Sequence, residues 1–352
     1  MRARLFAVSI FALVLGARAV NAQEKPDVKI LATGGTIAGA QADPGSYGYK
    51  SGTFQVNDLI KAVPNMDKLA VLSGEQVASI GSQDMNDEIW LKLAKRTNAV
   101  LADKGIDGVV ITHGTDTLEE TSYFLNLTVH SDKPVVMVGS MRPATAVSAD
   151  GPGNLYNAVA VAADAGAKGR GVLVVLNDEI HGARDVAKMD TTSVETFASP
   201  NRGNAGLINT GKIVWFEKSE KKHTTKSEFN VDKLDKLPRV DIIYAHANMS
   251  PDLIKAAIDN GAKGIVIAGV GDGNMTKPTL DALEAAAKNG IAVVRSTRLA
   301  AGLVLRNNEV DDDKMGFVAS GEFNPAKSRV LLQLALTKTN DPKKIQAMFY
   351  EY

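Results

Sequence analysis

Four largely apolar runs, separated by stretches of helical period, constrain this chain more than any other feature. VKILA (from Val28), VVIT (109–112), PVVMVG (134–139) and GVLVVLN (171–177) are rich in β-branched residues and show no polar alternation. Runs of that kind predict strands buried on both faces. Between them, residues 86–104, 118–129 and 154–165 carry apolar side chains three and four apart, the period of an amphipathic helix. Buried strands alternating with helices fold into a mostly parallel sheet with helices on both faces. The expectation is a large N-terminal α/β domain over 23–216.

A polar, lysine-rich segment then breaks the rhythm. Residues 217–238 have no apolar period, and Pro238 would stop a helix, so they read as a surface connector. The alternation resumes with VDIIYAH (240–246), a helix over 251–260, GIVIAGVG (264–271), a helix near 279–289 and IAVVRST (291–297). This predicts a second, smaller α/β domain over 239–352, closed by a terminal amphipathic helix at 325–337. There is no low-complexity tract and no fixed-period repeat.

Composition narrows the partners. At 352 residues with 45% apolar content the chain can bury a large core, enough for two domains. Forty basic residues balance forty acidic ones, which gives no electrostatic case for nucleic acid or an anionic membrane and points to a small molecule. The first 22 residues differ from the rest: Arg2 and Arg4 precede an apolar run from Leu5 to Leu15, and small residues offer cleavage after Ala19 or Ala22. This predicts a secretory signal peptide and a periplasmic destination, since the run is shorter than the ~20 residues of a membrane-crossing helix. Its removal takes away three arginines and no acids, leaving a slightly acidic mature chain. The absence of cysteine excludes disulfides and thiolate chemistry. Five scattered histidines without a spacing such as HExxH argue against a catalytic metal.

Two Thr-Gly stretches carry the chemistry. TGGTIAG (33–39) and ITHGTDTLEET (111–121) each follow a predicted strand, which delivers Thr36, Thr115 and Asp116 to strand ends, where open α/β sheets build their sites. Gly34 and Gly35 allow a sharp turn and bring backbone N–H groups toward a ligand. Neither GxGxxG nor GxxxxGKS/T fits, so a phosphate loop is disfavoured. Each group also has a structural reading. Thr36 could be a helix cap, and Asp116 or Thr117 could cap the next helix, with Glu119 or Glu120 completing a capping box. A threonine hydroxyl needs a base to become a nucleophile, often a lysine. Lys188, in GARDVAKM after the strand GVLVVLN, is one candidate; by composition it is equally a surface lysine. SIGSQDM (79–85) offers Ser82 and Gln83 as neutral donors for a carboxylate or amide.

These residues match a family. TGGTIAG, GSQDM, ITHGTDTLEET, MVGSMRPATAVSADGP, LNDEIHGARDVAK, AGVGDGN and NEVDDD, in that order, resemble the secreted bacterial type II L-asparaginases and their glutaminase-asparaginase relatives from Val28 to Tyr352. The resemblance implies that Thr36 is the primary nucleophile, with Tyr49 in a mobile loop, GSYGYKSG, closing over it. It further implies that Thr115, Asp116 and Lys188 form a second triad, in which lysine and aspartate polarise the hydroxyl. Ser82, Gln83, Thr115 and Asp116 would grip the substrate's α-carboxylate and α-ammonium groups. Asn274 and Glu309 match positions that reach a neighbouring subunit's site and help fix that ammonium, in a homotetramer made as a dimer of dimers. The chain departs from several relatives in lacking an N-terminal-domain disulfide and in its lysine-rich connector. Neither touches the site, so the departures bear on thermal stability.

The reading so implied is hydrolysis of L-asparagine to L-aspartate and ammonia, with weaker use of L-glutamine and no cofactor. Two rivals stand beside it: a glutaminase-asparaginase using both amides comparably, and a periplasmic solute-binding protein, which needs a cleft but no activated hydroxyl.

Overall fold

The computed structural model describes residues 24–43, 48–216 and 218–352; the expected signal peptide (1–22) and part of the GSYGYKSG loop lie outside the described residues. Among those described, no helix is long and apolar enough to cross a membrane.

The first unit builds, in chain order, β1 (Asp27–Gly34), a short hairpin of β2 (Ala40–Gln41) and β3 (Tyr49–Lys50), β4 (Val71–Ile80), β5 (Gly108–Thr112), β6 (Val135–Val138), β7 (Val172–Leu176), β8 (Glu179–Gly182), a second short pair β9 (Ala187–Lys188) and β10 (Phe197–Ala198), then β11 (Gly206–Asn209) and β12 (Lys212–Trp215). Its main sheet has the order β12-β11-β8-β7-β6-β5-β1-β4. Pairing is parallel from β4 through β7 and antiparallel from β7 to β12.

Helices α1 (Val56–Ala62), α2 (Asp87–Ala102), α3 (Leu118–Thr128) and α4 (Gly151–Ala163) accompany this sheet. Successive residues of a strand point to opposite faces. Accordingly Leu31, Val109 and Ile111 join a core with Trp90, Leu93 and Phe124 of α2 and α3, whereas Ile30, Val110 and Val136 join a separate one with Leu59, Leu155 and Val159 of α1 and α4. Every residue of β5, β6 and β7 is buried, which is why their sequences read as continuous apolar runs. Helix α4 starts three residues before its expected start, because Pro152 sits in the first turn, where a missing N–H costs nothing.

The second unit is a parallel sheet of β13 (Val240–Tyr244), β14 (Gly264–Gly269), β15 (Ala292–Thr297) and β16 (Phe317–Ala319), in that order. Its helices are α5 (Asp252–Asp259), α6 (Lys277–Lys288), α7 (Asp312–Met315), α8 (Pro325–Ala335) and α9 (Pro342–Glu351). One expectation changes here. Helix α8 is not terminal, since α9 follows it; it packs between β13, β14 and β15 on one side and α3 of the first unit on the other. Even Lys327 is buried, donating to the Val186 carbonyl and standing 4.0 Å from Glu119; burial pulls its ammonium down to about 8.

The segment expected to be a surface connector is also corrected. Phe229, Val231 and Leu237 are buried, the Phe229 ring lies 5.0 Å from that of Tyr352, and Ser227 Oγ donates to the Leu127 carbonyl. Single anchors inserted from irregular backbone leave no period to read.

Candidate active site

Parallel pairing aligns the C-terminal ends of β4, β1 and β5. Ala32 stands opposite Thr112, and Gly34 opposite Ile80. The loops that leave these ends meet at distances only glycine allows. Gly34 and Gly35 have φ of 105° and 81°; a Cβ on Gly34 would lie 2.4 Å from the Ile80 carbonyl oxygen, and one on Gly35 would lie 2.3 Å from the Gly114 nitrogen. A Cβ on Gly114 would come 2.6 Å from Ser82 Oγ. The glycines therefore bring three backbones together. Contrary to the expectation that this turn offers its N–H groups to a ligand, the Gly35 N–H donates to the Ile80 carbonyl at 2.8 Å.

Thr36 opens a single 3-10 turn, Thr36–Ala38, and is 7% exposed. It does not cap that turn. Its Oγ1 lies 2.8 Å from Tyr49 Oη, and either oxygen can donate. Tyr49 reaches it because β3 folds back on β2, with Tyr49 opposite Gln41. The ring sits where a Cβ on Gly39 would be 2.9 Å from Tyr49 Cδ2, so the approach needs that glycine too.

The second hydroxyl is held differently. Lys188 Nζ donates to Thr115 Oγ1 at 3.1 Å and to Asp116 Oδ1 at 2.7 Å. Lys188 is not an ordinary surface lysine: β9 pairs it with Phe197, and its side chain is 17% exposed against 57% for Asp116. Its amine thus bridges a buried hydroxyl to a solvent-facing carboxylate. Helix α3 begins without a side-chain cap, so the capping reading of Asp116 and Thr117 does not hold. Instead Thr117 Oγ1 donates to the Ser82 carbonyl at 2.8 Å, and the Asp116 N–H donates to Ser82 Oγ at 3.1 Å.

Buried Ser82 thus joins the β4 end to the Thr115 loop. Gln83 does not join it. Its amide turns back over Gly81 and donates to Asp84 Oδ2 at 3.4 Å. Asn274 and Glu309 lie in the second unit, where Asn274 Nδ2 donates to Glu309 Oε2. Among the described residues their side-chain hydrogen bonds join them to each other and not to Thr36, Tyr49, Thr115 or Lys188.

Both units also match known family models: residues 27–221 match the model described as "Asparaginase, N-terminal", and residues 239–349 match "Glutaminase/Asparaginase C-terminal domain". The chain belongs to the asparaginase family. It is 56% identical to the "Probable L-asparaginase periplasmic" of Haemophilus influenzae, over 96% of each chain. It is 54% identical to L-asparaginase 2 of Escherichia coli over 98% of each, and 46% identical to the glutaminase-asparaginase of Pseudomonas fluorescens over 97% of this chain and 95% of that one. Among solved structures, the probable cytoplasmic L-asparaginase of Campylobacter jejuni superposes with a TM-score of 0.90 at 51% identity, covering 93% of this chain and all of that one.

One residue beside these groups was not singled out from sequence. His113, directly after β5, is fully buried, with Nδ1 2.7 Å from the Gly114 carbonyl and Nε2 without a partner. Burial holds its ring down to about 4, so it is neutral near pH ~7. Its signal, a histidine directly after a buried strand, is a common core pattern. A groove of about 1140 Å3 lined by Arg170, Asp185, Arg202 and Lys221 includes none of the threonines or Lys188. Among the described residues no three His, Asp or Glu side chains cluster as metal ligands.

Proposed function

We propose that the chain is an amidohydrolase converting L-asparagine to L-aspartate and ammonia. The observation that carries this reading is the Thr36–Tyr49 contact beside the Thr115–Lys188–Asp116 chain, at the ends of neighbouring strands. Thr36 Oγ1 attacks the side-chain amide carbonyl, its proton passing to Tyr49 or to a water. Donors that include the Thr115 region hold the oxyanion. The amide nitrogen leaves as ammonia with a proton supplied by the same relay, and water cleaves the resulting β-acyl-threonine ester, restoring the hydroxyl. Lys188 and Asp116 polarise the Thr115 hydroxyl, through the contacts of Lys188 Nζ with Thr115 Oγ1 and Asp116 Oδ1. The reaction is redox-neutral and needs no cofactor.

Ser82, Gln83, Thr115 and Asp116 grip the amino-acid end of the substrate, Gln83 only after turning from Gly81. Asn274 and Glu309 complete that grip in the site of a neighbouring copy, within a homotetramer built as a dimer of dimers. Glu309 is exposed and Asn274 half-buried, so a second copy can approach the pair. The mature protein works in the periplasm after cleavage behind Ala22 or Ala19. The threonines and Lys188 belong to a domain over 23–216, and Asn274 and Glu309 to one over 239–352, with 217–238 between them.

A second reading, comparable use of both amides, is favoured by the 46% identity to a glutaminase-asparaginase. A time course of ammonia release with each amide tests both. Release from asparagine at a higher specificity constant than from glutamine supports the main reading, and equal constants support the second. Tight binding of an amino acid with no ammonia would leave only a solute-binding role.

A further inference from the structure

We propose that Arg295, Asp312 and Asp272 are positioning residues for the substrate's ammonium group, acting through the two loops that carry Asn274 and Glu309. The inference rests on the proposed function. Arg295 and Asp312 form an ion pair with both side chains 0% exposed. Arg295 Nε donates to Asp312 Oδ1 at 2.6 Å, and one terminal nitrogen donates to Oδ2 at 2.8 Å. That same nitrogen donates to the Leu305 carbonyl at 3.0 Å, while the other donates to the Asp272 carbonyl at 2.8 Å. One planar guanidinium therefore ties the 271–274 loop to the 305–309 loop, which the three donors of a lysine ammonium on its flexible stem could not reproduce.

The carboxylates continue the tie. Asp312 Oδ2 accepts the Asn307 N–H at 2.9 Å; Asp272 Oδ1 accepts the Leu305 N–H at 2.7 Å, and its Oδ2 accepts from Asn308 Nδ2 at 2.8 Å. Asn307 sits at φ 55°, in the left-handed region, directly before Asn308 and Glu309. On the other loop, reciprocal 2.8 Å backbone bonds between Val270 and Asn274 close the turn, and a Cβ on Gly273 would lie 3.1 Å from a terminal nitrogen of Arg295. A buried ion pair is weak evidence for stability, because desolvation offsets its attraction. Here its donors and acceptors are spent on the backbone of two loops whose outer side chains, Asn274 and Glu309, meet each other. Displacement of a gripping group by about 1 Å can cost on the order of 10²-fold. The network thus sets where the Glu309 carboxylate stands.

The test uses the full-length assembled enzyme and two competitive inhibitors that differ only by an ammonium group, L-aspartate and succinate. Arg295→Lys and Asp272→Ala should each raise the KM for asparagine and the inhibition constant of L-aspartate by about tenfold or more, with kcat changed by less than about threefold. The inhibition constant of succinate should not move. Should Arg295→Lys melt early, Asp272→Ala, at the partly exposed end of the network, decides the matter. Unchanged aspartate inhibition in a folded variant, or an equal rise for succinate, would overturn the inference. Glu309→Ala serves as the control for the underlying reading: if it leaves aspartate inhibition unchanged, the role given to Glu309 fails, whatever Arg295 does.

Discussion

The threonine face of the first unit and the Asn274–Glu309 pair of the second are fixed by opposite means. Thr36 and Thr115 stand on loops that leave adjacent strands and are pressed together where a Cβ on Gly34, Gly35 or Gly114 would collide with backbone or Ser82. No charge is needed to hold those backbones. Asn274 rides on a half-buried loop and Glu309 on an exposed one, both secured from beneath by the buried Arg295–Asp312 pair. Close-packed backbone tolerates little drift, which suits groups that make and break bonds. Loops tethered through an ion pair suit groups that grip a charged end. The first region should therefore control turnover, and the second affinity and choice of substrate.

The largest effects should come from breaking the first region. Thr36→Ala, Thr115→Val and Lys188→Met should each lower turnover by at least ~10³ while the melting temperature barely moves, as for loss of a nucleophile or its activating base. Near-normal turnover in any of them, measured by ammonia release, would remove that residue from the chemistry. Breaking the second region should act on binding. Glu309→Ala should raise the KM for asparagine by about ten- to a hundredfold with a smaller fall in kcat, because a charge-assisted contact to a substrate ammonium is lost. A pure kcat effect would contradict the assignment to grip.

Substrate choice should respond more modestly. Asparagine and glutamine differ by one methylene, which a pocket separates by only about 1–3 kcal/mol, or about ten- to a hundredfold in kcat/KM. Asn274→Ser should narrow that gap, following the resemblance to the more glutamine-tolerant relatives; an unchanged ratio would show that Asn274 does not set it.

The mildest probe concerns stability rather than turnover. Burial holds the His113 and His181 rings down to about 4, against 6.5 for a free ring. In the window between these values the unfolded chain binds protons that the folded chain refuses. Stability is full above about 6.5 and is lost as pH falls toward about 4. Melting temperatures across that window should fall with pH, and His113→Asn should flatten the slope. The same slope in the variant would show that His113 does not titrate on unfolding.

How far the molecule was legible in its sequence follows the same division. β5, β6 and β7 are buried on both faces, so their apolar runs announced them, and the two threonines were placed at strand ends for the same reason. Edge strand β4 was missed: VLSGEQVASI has one fully buried position in ten, so neither of its faces gives a sustained apolar signal. The short hairpins β8 to β12 are too brief to stand out, and α9 begins PKKIQ, which reads as solvated surface. Arg295 inside IAVVRST and Asp312 inside VDDD look like ordinary surface charges, and only three-dimensional pairing reveals their burial. Gln83 illustrates the reverse limit, since its sequence position fits the site while its side chain turns away.

The division of labour between the two units is tested most directly by subunit mixing. Thr36→Ala and Glu309→Ala chains, each nearly inactive alone at subsaturating asparagine, are dissociated, combined and reassembled. If turnover belongs to the first unit of one copy and grip to the second unit of its neighbour, some hybrid sites hold both native residues, and ammonia release should return to a substantial fraction of the unmutated level. Hybrids verified to contain both chains yet no more active than either parent would contradict a shared site, as would full activity in a monomer.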